Sequence, residues 1–351
     1  MKWIVSAALF FASYLPLSAA EDTGSQQIVC HIAYEYLDDA TKAKLETLSG
    51  VPVTKTTFLE LCAKPLEIQG ARAEKYKYLQ DDTEGSVSGT MGQSAPTQLA
   101  IRATRNLPSI GYVDVPRDML RIDNFECPQA TTCLTKALMV DTQLLMGAVA
   151  DAGERIEAVN RISWHIARLH FPFSFGFSDD LAGHWIRVGN TKSCARTLND
   201  FWAKCSWKRG MVARKLDPDT IGEYAARLQK EIGPDDAQKW VSGTNLLAWA
   251  NQSYRIATSS RMGYCIWQEE LCRYSEEKLT FDPNNQLYDQ YSRKVFVGRI
   301  EGVATQKVGV HNIMYKKLLL DDEYKIWAME VMEKRLKQAG VRLAAFLAVS
   351  L

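Results

Sequence analysis

The chain lacks most of the features that would name a function at once. Beyond its first twenty residues, no apolar run reaches the roughly 20 residues that a membrane helix needs, so no bilayer span is expected. Neither sign of charge is in excess. The 351 residues carry 42 Lys+Arg against 41 Asp+Glu; removing residues 1–20 takes away Lys2 and no acid, leaving 41 against 41. A balanced chain has no general attraction for nucleic acid, so any such attraction would need a local basic patch. No two cysteines are spaced C-x-x-C, which argues against thiol redox catalysis and a cysteine zinc site. No Gly-rich phosphate loop appears, no Ser/His/Asp or Cys/His triad can be placed, and no internal repeat or domain linker stands out. Histidine is scarce, with five in the whole chain.

What is there begins with a leader. Lys2, the apolar run from Trp3 to Leu15, and Ser18-Ala19-Ala20 before Glu21 read as a secretory signal over residues 1–20. Residues 21–351 are then expected to be an exported single domain, in a periplasm or outside the cell. The eight cysteines all follow the leader, and an even count in an oxidising compartment suggests disulfides. Near neighbours suggest Cys127/Cys133, Cys194/Cys205 and Cys265/Cys272, leaving Cys30 with Cys62, although spacing alone leaves other connectivities open.

Apolar residues recur mainly at helical spacing. Val29, Ile32, Ala33, Tyr36, Leu37 and Ala40 mark one face of a first helix. Ile156, Val159, Ile162, Ile166 and Leu169 mark a central helix starting near Ala152, and another helix is expected from Gly243 to Ser259. Ile326, Met329, Met332, Leu336, Leu343 and Phe346 mark a long final helix. The chain reads as mainly α, with short strands at Trp185–Val188 and Lys294–Ile300. Residues 81–98 are rich in Gly, Ser and Thr, the composition of a mobile loop.

The stretch Trp164-His165-Ile166-Ala167-Arg168-Leu169-His170-Phe171-Pro172-Phe173-Ser174-Phe175-Gly176-Phe177 has the frame H-x-x-x-D-x-x-Q-P-L-H-x-x-F. That frame resembles the secreted zinc nucleases that cut single-stranded nucleic acid, the S-one/P-one type. The likeness continues in order through Tyr112-Val113-Asp114-Val115-Pro116, Glu126-Cys127-Pro128 to Cys133, and Gly176 to His184. It then runs through Leu198 to Ala203, Trp249-Ala250-Asn251-Gln252-Ser253, and Gln338 to Ala344. It implies the all-α fold of the zinc phospholipase C/single-strand nuclease type, one or two short β-hairpins and local disulfides, with the Cys127–Cys133 loop matched directly.

Members of that family hold three zinc ions with His imidazoles, Asp carboxylates and the mature N-terminus. Zinc takes nitrogen and oxygen donors, keeps a position for water, and lowers that water's pKa for attack on phosphorus. Set on the family's ligand positions, this chain offers Gln26, Lys64, Gly111, Trp164, Arg168, Ser174, Asn199 and Ala203. Arg never deprotonates and cannot ligate. Trp164 and Arg168 lie four apart on one helical face, and a dication beside Arg168 and Lys64 is disfavoured by several kcal/mol. No metal or other cofactor is therefore expected.

The reading is an exported nuclease-family protein without catalysis, with a residual role in binding. Its partner would be a nucleotide, phosphate or single-stranded nucleic acid in the old cleft, or another protein, and the chain is expected to be monomeric. Arg168, Lys64, Trp164 and His184 are the expected binding residues, since Arg suits phosphate geometry. Asp114 is the one retained catalytic candidate, equally readable as a carboxylate paired with Arg168. Aromatics such as Tyr76, Tyr78, Tyr112 and Trp185 are candidates to stack on bases, most of all the run Lys75-Tyr76-Lys77-Tyr78. The alternative is an active zinc endonuclease for single-stranded DNA or RNA, its site rebuilt around His170 and His184. A further reading is a purely structural protein with a filled pocket. His165 and His170 are five apart, on different sides of a helix; the histidines are expected at surfaces, caps or ordinary hydrogen bonds. Asn251-Gln252-Ser253 fits a glycosylation acceptor but falls in an expected helix.

Overall fold

A computed structural model describes residues 24–64, 111–116, 118–127, 133–147, 150–177, 182–183, 186–189, 191, 194–195, 197–217, 219–242, 245–262, 266–268, 271–273, 280–281 and 317–351. The leader, residues 81–98, the Lys75–Tyr78 run, His184, Trp185, His311 and the strand expected at Lys294–Ile300 lie outside the described residues. No helix among the described residues is long and apolar enough to cross a membrane.

The architecture is all-α. Helix α1 (Gly24–Tyr36) buries Ile28, Val29, Ile32 and Ala33. It stops earlier than its apolar period suggested, because Asp38 takes an extended conformation and its side chain accepts from Thr41 N–H at 2.6 Å. That cap starts α2 (Asp39–Ser49), so Ala40 belongs to the second helix and is exposed. Helix α3 (Lys55–Cys62) follows, with Thr54 and Thr57 bonded reciprocally at its start. The disulfide Cys30–Cys62, with Cα atoms 5.9 Å apart, fastens α3 to α1.

Helices α4 (Leu134–Met146) and α5 (Ala152–Leu169) pack side by side. Helix α5 begins where the sequence placed it, with Asp151 accepting from Glu154 N–H. Every residue from Ala158 to Ala167 is buried, so polar Asn160, Arg161, Ser163 and His165 must find partners inside the protein. The helix ends at Leu169, just before Phe171-Pro172, where the residue preceding a proline is driven out of the α region.

A helical turn (Leu198–Asp200) runs through a π-helical turn (Phe201–Cys205) into α6 (Ser206–Ala213). Helices α7 (Ile221–Lys230), α8 (Pro234–Val241) and α9 (Leu246–Ala257) come next. The last of these is shorter than the span from Gly243 to Ser259, because Asn245 caps it. Helix α10 (Asp322–Ser350) closes the fold and crosses α1 where Gly340 sits. A Cβ there would stand 2.5 Å from the Ile32 side chain, so only glycine permits the approach. Within α10, Ile326 was expected to face inward but is 45 % exposed, while Tyr324, Ala328, Met332 and Leu336 are buried.

The strands are short. Strands β1 (Val113–Val115) and β2 (Phe175–Phe177) pair in parallel, Val113 opposite Phe175. Strand β3 (Arg187–Val188) pairs in parallel with β7 (Lys317–Leu319), which also pairs antiparallel with β6 (Thr280–Phe281). The hairpin β4–β5 (Ile266–Gln268, Leu271–Arg273) matches the hairpin expected from the resemblance, whereas the two parallel pairs were not expected.

The pairs Cys127–Cys133 and Cys194–Cys205 are formed as the spacings suggested. The expected Cys265–Cys272 bond is not among the described disulfides. Cys272 stands on β5 with its backbone opposite Trp267 of β4, while Cys265, just before β4, lies outside the described residues.

Candidate functional site

The positions singled out in the sequence lie on elements that pack around α5 and the β1–β2 pair. Gln26, on α1, is buried, and its side-chain nitrogen lies 2.7 Å from Cys62 O, 2.9 Å from Ser163 Oγ and 3.0 Å from Asn160 Oδ1. Asn160 O stands farther off, at 3.4 Å. Four oxygens thus converge on one amide nitrogen that carries two hydrogens. Ser163 Oγ, with its one proton, also lies within hydrogen-bond reach of Cys62 O and Asn160 O, and Asn160 Nδ2 donates to Lys64 O at 3.1 Å. Lys64 itself is exposed.

One turn along α5, Trp164 is 4 % exposed and meets the His165 ring edge-on at 5.2 Å. Arg168 lies on the same face, its guanidinium carbon 5.9 Å from the Trp164 ring and 4.8 Å from the Phe171 ring. Its Nε donates to Gly111 O at 3.1 Å, so two positions 57 residues apart in sequence meet. A guanidinium over aromatic faces is held by their quadrupoles, and the carbonyl fixes its orientation. Asp114 lies on β1, paired with Gly176 of β2; its side chain is outside the described atoms.

Ser174 is fully buried beside β2, and its hydroxyl has no hydrogen-bond partner among the described residues. Asn199 is buried, its Nδ2 donating to Ala182 O at 2.9 Å. Ala203 stands in the π-helical turn, where its carbonyl accepts from Trp207 Nε1.

The histidines correct several expectations. His165 is in the core, not at a surface or cap: its Nε2 lies 2.8 Å from Asp141 Oδ2 on α4. The other oxygen of Asp141 takes Arg161 Nε at 2.7 Å. Burial pushes the Asp141 carboxyl up, but the His165 and Arg161 contacts outweigh it and hold the pKa below the usual range. His31 was expected to make ordinary hydrogen bonds, yet its buried Nδ1 makes none among the described residues while the ring packs on Gly222. Burial, then Lys55, lower its pKa, against a smaller opposing effect of Glu35.

His170 caps α5 and is wholly enclosed. Its Nδ1 bonds Ile166 O at 2.8 Å, and its Nε2 lies 2.9 Å from Arg342 Nη1. Since a guanidinium only donates, Nε2 accepts and the proton sits on Nδ1. Burial, Arg335 and Arg342 together press its pKa well below the ordinary value. Arg335 places its donors on His170 O, Gln252 Oε1, Gln338 Oε1, Trp249 O and Ser253 Oγ. Arg342 bonds Trp240 O and stacks on Trp249, and burial lowers its pKa to about 10. No carboxylate pairs with Arg335 or Arg342 among the described residues.

The sequence reading missed Asn160 and Ser163 as the partners of Gln26, and Phe171 as the ring beneath Arg168. A signal for the first two was available: Asn160 precedes Trp164 by about one turn and Ser163 by one residue, on a helix whose core-facing residues surround them. Against this geometry, the family model described as S1/P1 Nuclease matches residues 24–294, well over half the chain. No curated protein matches the chain.

Proposed function

Because the chain belongs to the S1/P1 nuclease family, we propose that it is an exported member that no longer hydrolyses phosphodiesters and retains its cleft for binding a nucleotide-like phosphate. Family membership, disulfides and the N-terminal leader together support export. One observation carries the loss of catalysis. Arg168, at the position of a metal-binding Asp, is fixed on Gly111 O and against Trp164, which are themselves the positions of two metal-binding His.

The residues present do not fit a zinc cluster. Gln26 turns its amide nitrogen, a donor, toward the surrounding oxygens, and Asn199 likewise uses its nitrogen on Ala182 O. Gly111 and Ala203 bring no side-chain donor, and an indole or a guanidinium has no lone pair to give. With no metal to lower the pKa of water, Asp114 has no activated nucleophile to assist. Arg168 instead offers a fixed positive charge and planar donors, which suit a phosphate oxygen.

The alternative, an active zinc endonuclease rebuilt around His170 and His184, draws no support from His170. Its Nε2 lone pair is engaged by Arg342, and a metal there would face two guanidiniums. Thermal shift of the mature protein with a nucleoside monophosphate tests the proposal. The expected result is stabilisation by mass action, reduced in Arg168→Gln, with no turnover of single-stranded DNA. Turnover abolished by a chelator would overturn it.

A further inference from the structure

A cleft of about 470 Å³ lies between Arg121-Ile122-Asp123 and the outward face of α9, with Asn245, Gln252 and Arg255 on that wall. Its walls are clamped together. Asn251 accepts from Ile122 N–H at 2.9 Å and donates to Ile122 O at 2.7 Å, reading one residue's backbone as a strand partner would. Tyr254 OH adds a bond to Met119 O from the same helix. The opening therefore exists without rearrangement, and a ligand need not order it on binding.

The donors in this cleft outnumber the acceptors. Arg255 is exposed and makes no ion pair among the described residues. Arg121 spends only Nε on Asp123, at 2.5 Å, leaving its two terminal nitrogens unbonded among the described residues. Gln252 gives its carbonyl oxygen to buried Arg335 at 3.2 Å, so its amide hydrogens are the end left for a ligand. Helix α9 itself, Leu246–Ala257, contains no acid. Two guanidiniums therefore stand against one lining carboxylate, Asp123, and Arg335, which pairs with no carboxylate among the described residues, lies behind Gln252.

We propose that this cleft is a second anion site, which holds a phosphate ester between the Arg121 and Arg255 guanidiniums with the Gln252 amide as a neutral donor. It shares no residue with the Arg168 cleft and does not rest on the reading of that cleft. The apolar atoms of Ile122, Leu247 and Ala248 give the organic part of the ester a surface to lie on.

Equilibrium binding of inorganic phosphate, a nucleoside 5′-monophosphate and a short oligothymidylate to the full-length mature protein tests this, in an Arg168→Gln background that silences the first cleft. Binding is expected to survive that substitution and to weaken by roughly tenfold or more in each of Arg121→Gln and Arg255→Gln, as hydrogen bonds to charged groups do. Arg255→Lys should recover part of the loss, since it keeps the charge without the planar fork. Both arginines are exposed, so the melting temperature without ligand should not move. Tighter binding of the monophosphate than of inorganic phosphate identifies the ester, and tighter binding of the oligomer identifies a nucleic-acid backbone. Binding that is absent in the Arg168→Gln background, or unchanged by both substitutions, overturns the proposal.

Discussion

Helix α5 carries the same spacing twice and uses it in opposite ways. Arg161 and His165, four residues apart, turn toward α4 and share the two oxygens of Asp141. Trp164 and Arg168, also four apart, turn toward β1, where Arg168 rests on a carbonyl and two rings. The first face is a buried ionic network that serves packing. On the function proposed above, the second stands where the family's metal ligands would be, with guanidinium and indole in their place. Titratable chemistry has not left the helix; it faces the core, where no substrate reaches.

That contrast can be broken from its stronger side first. Asp141→Ala leaves Arg161 and His165 buried without their shared carboxylate, and should cost about 3–5 kcal/mol by chemical denaturation. A cost below about 1 kcal/mol would mean the network is not what holds α4 to α5.

Acid should act next, through His170. Its folded pKa is depressed, so the unfolded chain binds the proton more readily, with an unfolded value near 6.5. Stability is therefore complete above about pH 6.5 and falls as pH drops below it. His31, lowered in the same direction, adds to the slope. Between pH 7 and 5, His170→Gln should flatten the dependence; an unchanged slope would assign it to other groups.

A smaller effect is expected at Gln26→Ala, about 1–3 kcal/mol, because Asn160 and Ser163 lose a buried donor. Gln26→Glu should be worse than Gln26→Ala, since a carboxylate would face the same oxygens. The smallest is Arg168→Ala, within about 1 kcal/mol for a half-buried side chain, yet with the nucleotide-dependent thermal shift reduced. Equal losses at Asp141 and Arg168 would erase the distinction between the two faces.

Much of this was legible in the sequence. Periodicity placed the start of α5 near Ala152, where it lies, and the likeness to the nuclease frame put Trp164 and Arg168 on one face. Cysteine spacing pointed to the three pairs that the described residues contain. The buried cations of α10 were not legible, and the reason is physical. An apolar-period reading sends Arg335 and Arg342 to the surface and Ile326 inward. The groups that satisfy the arginines include the backbone carbonyls of His170, Trp240 and Trp249, which any residue type would supply. Their arrangement appears only once α10 meets α8, α9 and the end of α5. His165 was closer to legible: it lies three after Ile162 and four before Leu169, on the buried stripe. Its partner Asp141, 24 residues away on another helix, was not.

The zinc content of the purified, correctly cleaved protein tests the account most directly, measured by elemental analysis after equilibration with zinc and removal of excess. Less than one tightly held ion per chain is expected. Two or three ions per chain, with cleavage of single-stranded DNA that a chelator abolishes, would contradict it.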